Sequence, residues 1–177
     1  MKENWKKQFE FLLDSEGGYQ DDPDDAGNHL PDGRAGCTNL GVTQQAWEAY
    51  VGHKVSNQDM RDLTPEKIEP FYKRRYWDAT LCDSMPSGVD YCLFDLSINA
   101  GSGRSAKTMQ SAVGVETDGQ IGKITLAAII GLEPKYVIER FTEEKIAFYK
   151  SLNNPKYEQG WLNRAETVRQ RALKMIE

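Results

Sequence analysis

Glu16 stands where a helical pattern meets a polar loop, inside the stretch LLDSEGGYQDDPDDAGNHLPDGRAGCTNLGVT that runs from Leu12 to Thr43. It falls three positions after Leu13, four after Leu12 and seven after Phe9, so in a helix it shares their apolar stripe and points inward. A carboxyl directed at an apolar surface loses hydration in its charged form, which raises its pKa and keeps it protonated near neutrality. That is what a general acid requires. The competing reading is an ordinary surface glutamate in the last turn of a helix that Gly17 and Gly18 bring to a stop. Beyond it, Tyr19 to Asn28 carries four Asp, one Pro and one Gly, a turn-forming segment rich in acceptors. Asp25 comes nine positions after Glu16, a separation that a returning turn can fold back across a cleft. A calcium loop is the alternative for so many acids. Asp22, Asp24 and Gly27 match the opening of an EF-hand loop, but Ala26 takes its fifth position and Gly33 stands where the bidentate Glu belongs. No metal site and no cofactor are expected.

Three strings, Glu16-Gly-Gly-Tyr19, Asp22-Pro-Asp-Asp25-x-Gly27 and Thr38-Asn-Leu-Gly41-Val-Thr43, resemble the opening signature of the glycoside hydrolase family 108 N-acetylmuramidases. The Glu, Asp, Thr order is also similar to that of phage-type lysozymes. The resemblance implies that Glu16 is the catalytic acid, and that Asp25 and Thr38 face it and place water or stabilise positive charge. Asn28 to Cys37 replaces the short Gly-Gly-Ala that usually precedes the Thr. Later strings, FYKRRYWD, FDLSINAG and GWLNR, resemble the same family, and QSAVGVETDGQIGKITLAAI resembles its small peptidoglycan-binding domain.

The elements that must position these groups are legible from periodicity. Trp5, Phe9, Leu12 and Leu13 give a helix from about Glu3 to Ser15. Thr43 reads as the N-cap of a helix through Tyr50 that Gly52 ends, with Trp47 and Tyr50 inward. Thr64 and Pro65 open the next, whose stripe is Ile68, Phe71, Tyr72, Arg75 and Tyr76. Tyr76 can stack on a sugar face, as Tyr19 can over a cleft, although aromatics at helical spacing also build cores. Met85 to Ala100 is apolar on nearly every side and predicts a central buried helix. Its exceptions, Asp95 and Asn99, lie four apart on one face, and either bind substrate or tie down a neighbour. A break at Gly101-Ser-Gly103 precedes a helix at Ser105–Val113, a turn at Thr117–Gln120 and a short helix at Ile124–Ile130. Two long helices end the chain. The first has the stripe Val137, Phe141, Phe148 and Leu152. The second has Trp161, Ala165, Val168, Ala172 and Met175, with Arg164, Arg169, Arg171 and Lys174 read as a solvated basic face.

The expected architecture is therefore mainly α. A lysozyme-like domain over 1–103 carries a small β-hairpin beside the acid. A helical subdomain over 104–177 comes next, made of the peptidoglycan-binding-like segment 105–131 and the two last helices. The 177 residues, 39% hydrophobic with four Trp and eight Tyr, suffice for such a core and argue against disorder. A net charge of −5 without blocks offers no basic field for nucleic acid. The N-terminus lacks the apolar run of a signal peptide, and no segment has the length of a membrane span. Cys37, Cys82 and Cys92 are an odd set without metal spacing, expected reduced where the chain is made, with one pair able to oxidise in the periplasm. On the resemblance, the expected activity is hydrolysis of the β-1,4 bond between N-acetylmuramic acid and N-acetylglucosamine by a monomeric phage endolysin. The partner is the glycan strand of peptidoglycan, reached from the host cytoplasm with the help of a holin-type membrane protein, the work being done on the wall in the periplasm. The rivals are a lytic transglycosylase and a non-catalytic wall-binding or secretion-related protein.

Overall fold

Nine α-helices and one two-stranded hairpin form the described part of the chain. This is a computed structural model that describes the backbone of residues 4–15 and 17–177 and the side chains of 4–13 and 17–177. It separates into two compact units, one of Lys6–Lys73 and one of Arg74–Glu177 together with Asn4 and Trp5. That border differs from the 103/104 boundary expected from sequence. The central helix packs against the helices after it, so no break in packing falls after residue 103.

In the Lys6–Lys73 unit, α1 (Asn4–Ser15) contributes Phe9 and Leu12, both buried, while Leu13 is half-exposed. The hairpin β1 (Thr38–Asn39) and β2 (Val42–Thr43) pairs Thr38 with Thr43 and Asn39 with Val42. Its loop, Leu40-Gly41, has φ of 50° and 73°, the left-handed pair that a two-residue hairpin turn needs to match strand twist. The Tyr72 hydroxyl donates to the Leu40 carbonyl at 3.1 Å and holds that non-glycine residue in place. α2 (Gln44–Val51) starts as expected on Thr43, whose hydroxyl accepts from the Ala46 amide, and ends on Gly52 at φ 82°. The short α3 (Asn57–Arg61), which periodicity does not announce, is closed by a reciprocal cap between Ser56 and Asp59. α4 (Pro65–Tyr72) buries Ile68, Phe71 and Tyr72. Phe71 meets Trp47 and Tyr50 edge-on at 6.0 and 5.4 Å, and the Phe9 and Tyr72 rings lie 6.1 Å apart.

In the other unit the backbone widens into a π-turn over Lys73–Trp77, so Trp77 is fully buried while Arg75 is exposed and Tyr76 half-buried. The single continuous stripe expected through Tyr76 is corrected here, because the extra residue of the π-turn rotates the positions beyond it. Trp5, Trp77 and Phe94 make a three-ring cluster with centroids 5.4 to 5.5 Å apart. α5 (Val89–Ala100) buries nine consecutive residues, Val89 to Ser97. It starts later than Met85 because Gly88 stands at φ 82°, where an added Cβ would lie 2.5 Å from the Ala172 carbonyl oxygen. α6 (Ser102–Val113), α7 (Lys123–Ile130), α8 (Pro134–Ser151) and α9 (Pro155–Lys174) complete the unit. All three cysteines are buried, and burial pushes the Cys92 thiol up to about 12.

The inward face of α8 is Val137, Ile138, Phe141, Thr142, Lys145 and Tyr149, whereas Leu152 is exposed and Phe148 half-exposed. The expected stripe fails in its second half because the buried position is a lysine. Lys145, 1% exposed, places its ammonium 2.5 Å from Asp95 Oδ2, and Arg164 of α9 places Nη2 2.7 Å from Asp95 Oδ1. Arg164 therefore belongs to a charge network and is no part of a purely solvated basic face. Burial works to raise the Asp95 pKa, but the Lys145 and Arg164 charges and hydrogen bonds outweigh it and hold the carboxyl below its ordinary value. A carboxyl depressed in this way contributes stability above its unfolded pKa and loses it as pH falls through the lower folded one. Replacing Lys145 with Met removes one of the two cations from a buried carboxylate. It is expected to cost about 3–5 kcal/mol in urea denaturation at neutral pH, and the difference from wild type should narrow as pH drops below about 4.

Candidate functional site

Past Gly18, the chain forms a bridge to the hairpin: the Gln20 and Thr38 backbones exchange two hydrogen bonds of 2.8 Å. Between them the acidic segment folds by short local bonds, as its composition requires. Asp22 Oδ1 accepts from the Asp24 amide at 2.9 Å, and Asp25 Oδ1 accepts from the Gly27 amide at 2.9 Å, capping the single turn Ala26–Asn28. Gly27 fits closely there, since a Cβ would stand 3.2 Å from both Asp25 Oδ1 and Thr43 Cγ2 and one of them would have to give by a few tenths of an ångström.

Asp25 and Thr38 are brought into one network. Asp25 Oδ2 accepts from Gln20 Nε2 at 2.7 Å, Gln20 Oε1 accepts from Asn28 Nδ2 at 2.6 Å, and Asn28 Oδ1 accepts from the Thr38 hydroxyl at 3.0 Å. Asn28 is 2% exposed, whereas Asp25 is exposed and Thr38 half-exposed. Sequence patterns single out neither Gln20 nor Asn28. Asn28 is visible there only as the start of the unusual insertion, and Gln20 sits at a position whose neighbours are more conspicuous. Glu16 lies outside the described residues.

Tyr19 is half-buried, with the Arg61 guanidinium 4.0 Å from its ring centroid and its hydroxyl 3.3 Å from Asp21 Oδ2. Burial, then the hydrogen bond to Cys37, raises the phenol to about 12. The insertion forms a small hairpin-like loop of its own, with His29 bridging Ala35 and Gly33 at φ 83°. Arg34 anchors it: Nη2 reaches both oxygens of Glu48 on α2 at 2.9 and 2.8 Å, and Nε reaches Asp32 at 2.8 Å. A concavity of about 340 Å³ lies against this loop, lined among others by Asp21, Pro23, Asn28, Leu30 and Arg34.

The remaining expected site residues belong to the other unit. Asp95 is 5% exposed with both oxygens engaged by Lys145 and Arg164. Of the two readings open from sequence, its work is the tie between helices. Asn99 is exposed and donates to the Asp95 backbone carbonyl at 2.6 Å. Tyr76 is half-buried, with Arg75 5.8 Å from its ring centroid. Among the described residues, no cluster of three or more His, Cys, Asp or Glu is arranged to hold a metal ion.

The family model described as Glycosyl hydrolase 108 matches residues 9–101, the segment that contains this network. A solved structure titled "Structure of Brucella abortus SagA" is 34% identical, with a TM-score of 0.86 over 99% of this chain and 97% of that one. No curated protein matches the chain.

Arg34→Ala is expected to loosen this loop locally through the lost charge-assisted bonds to Glu48 and Asp32. Hydrogen exchange should quicken at the Leu30 and Gly36 amides while α8 and α9 stay protected. Lys at position 34 should restore little, having no planar fork to offer Glu48.

Proposed function

This chain belongs to glycosyl hydrolase family 108, a family of lysozyme-like glycosidases acting on peptidoglycan, and from that premise we propose that it cleaves the β-1,4 bond from N-acetylmuramic acid to N-acetylglucosamine. Glu16 is the general acid that gives its proton to the leaving oxygen as an oxocarbenium-like transition state develops. Asp25 orients the attacking water or stabilises the developing positive charge, and Thr38 helps to place the water. The observation that carries this reading is the bonded path from Asp25 through Gln20 and Asn28 to Thr38, two residues 13 positions apart in sequence joined in a single constellation. Tyr19 is a proposed sugar contact of the Lys6–Lys73 unit, and Tyr76 and Asn99, each with exposed surface of its own, are proposed ones of the other unit.

Inversion is the stereochemical course proposed, by analogy with phage-type lysozymes, which the Glu, Asp, Thr order resembles. It calls for carboxyl groups roughly 6.5–9.5 Å apart, against about 5–5.5 Å for retention. The same resemblance supports a biological setting as a monomeric phage endolysin, made in the host cytoplasm, released through a holin-type partner and acting on the wall in the periplasm.

On purified peptidoglycan, Glu16→Gln should remain folded by circular dichroism and release no reducing ends. Near-wild-type release would end its assignment as the acid. Asp25→Asn should lose most but not all of the rate, and an unchanged rate would move the second role to Asp22 or Asp24. Mass spectrometry of the products should show reducing muramic ends. Anhydro-muramic ends would instead identify a lytic transglycosylase.

A further inference from the structure

Gln20 makes three hydrogen bonds whose partners fix which way its amide faces. Its Oε1 accepts from the Asp22 backbone N–H at 2.9 Å, a group that can only donate, so the oxygen must lie there and Nε2 must face Asp25. The same logic fixes Asn28. Its Nδ2 donates to the Asp22 backbone carbonyl at 2.9 Å, a group that can only accept, so its Oδ1 must face Thr38. The Thr38 hydroxyl at 3.0 Å is then the donor. Every bond along the path therefore runs one way, from the Thr38 hydroxyl to Asn28, from Asn28 to Gln20, and from Gln20 to Asp25.

We propose that Gln20 is a positioning residue for hydrolysis: it holds the Asp25 carboxylate by its Oδ2 and, through Asn28, commits the Thr38 proton inward. This rests on the catalytic reading of Asp25. With its proton committed, Thr38 Oγ presents lone pairs, and with Oδ1 on the Gly27 amide and Oδ2 on Gln20, Asp25 keeps a fixed carboxylate plane with acceptor capacity to spare. A water that donates to both acceptors has its own lone pair directed away from them, which is how a nucleophile must be turned before it meets the anomeric carbon. Asn28 can do this because it is buried and fully engaged. Gln20, half-exposed, connects the buried amide to the exposed carboxylate. The other titratable groups of the segment are Tyr19 with its hydroxyl on Asp21 at 3.3 Å, Asp21, Asp22 and Asp24, His29 against the Pro23 carbonyl at 2.8 Å, and Arg61 on Asp21 at 3.4 Å. The Gln20 amide bonds to Asp25 and to none of these side chains.

The test compares Gln20→Met, Gln20→Glu and Asp25→Asn in the full chain, with kcat and KM on purified peptidoglycan and thermal unfolding alongside. Gln20→Met keeps the length of the side chain and removes all three bonds. Its kcat should fall roughly ten- to hundredfold, the cost of a nucleophile site loosened by about an ångström, with KM little changed. Gln20→Glu should be as poor at neutral pH, where two carboxylates repel. It should recover relative to wild type as pH falls, because a protonated carboxyl donates to Asp25 as the amide does. Gln20→Met should show no such recovery. If Asp25→Asn is inactive while both Gln20 variants turn over as wild type, the positioning role is wrong and the catalytic reading of Asp25 stands. If Asp25→Asn is itself unimpaired, the reading beneath it fails. A loss in both Gln20 variants that tracks lowered melting temperature and ignores pH would also overturn the proposal, since a purely structural bond predicts that pattern.

Discussion

A loop built from Asp, Asn, Gly and Pro has almost no apolar surface to bury, so it cannot hold a chemical group still by packing. It must do so by satisfying its own donors and acceptors. Asn28 is where that constraint is met. Its side chain is 2% exposed, and its amide is bonded to Gln20, to the Asp22 backbone and to Thr38. A buried primary amide left short of one partner costs about 1–3 kcal/mol, so the three segments it touches share one arrangement or incur that penalty. The order of the acidic turn, the Gln20 bridge and the hairpin start derives from this one side chain.

The second unit solves a related problem with charge instead of neutral amides. α5 is so apolar that a carboxylate as deeply set in it as Asp95 would be untenable alone. The lysine of α8 and the arginine of α9 make it tenable, and in doing so they tie three helices at one point. Such a triad contributes little net stability compared with apolar residues of equal volume. What it specifies is register, because only one rotation of α8 brings Lys145 rather than an apolar neighbour to Asp95. The absence of a buried aliphatic at that turn of α8 is the mark it leaves on the sequence.

These two solutions explain what sequence could and could not reveal. Helices and their caps are local, so Thr43, Gly52, Thr64 and Pro65 disclose α2 and α4 by residue type alone, and the all-round apolar run discloses α5. The π-turn at Lys73–Trp77 is hidden because an inserted residue leaves no compositional trace. Lys145 is hidden because periodicity counts a lysine as surface. Asp25 and Thr38 are legible through a motif, whereas Gln20 and Asn28 become visible only when backbone pairing of Gln20 with Thr38 sets them side by side. The insertion at Asn28–Cys37, whose path no sequence pattern traces, proves to be a loop anchored through Arg34 to Glu48 of α2. The link depends on a pairing across 14 positions that no periodicity announces.

The polar network also bears on the choice between water and sugar as nucleophile. A lytic transglycosylase uses the substrate's own 6-hydroxyl, which arrives already attached to the ring and needs little beyond one acid. A hydrolase must capture a free water and turn it, and for that a fixed carboxylate and a fixed hydroxyl oxygen are worth several orders of magnitude in effective concentration. Here the chain commits a buried asparagine, a glutamine, a closely packed glycine and four hydrogen bonds to holding Asp25 and Thr38. On the proposed reading of Asp25 and Thr38, a carboxylate and a hydroxyl fixed in this way suit the capture of a water better than intramolecular attack, and water is the group proposed for them.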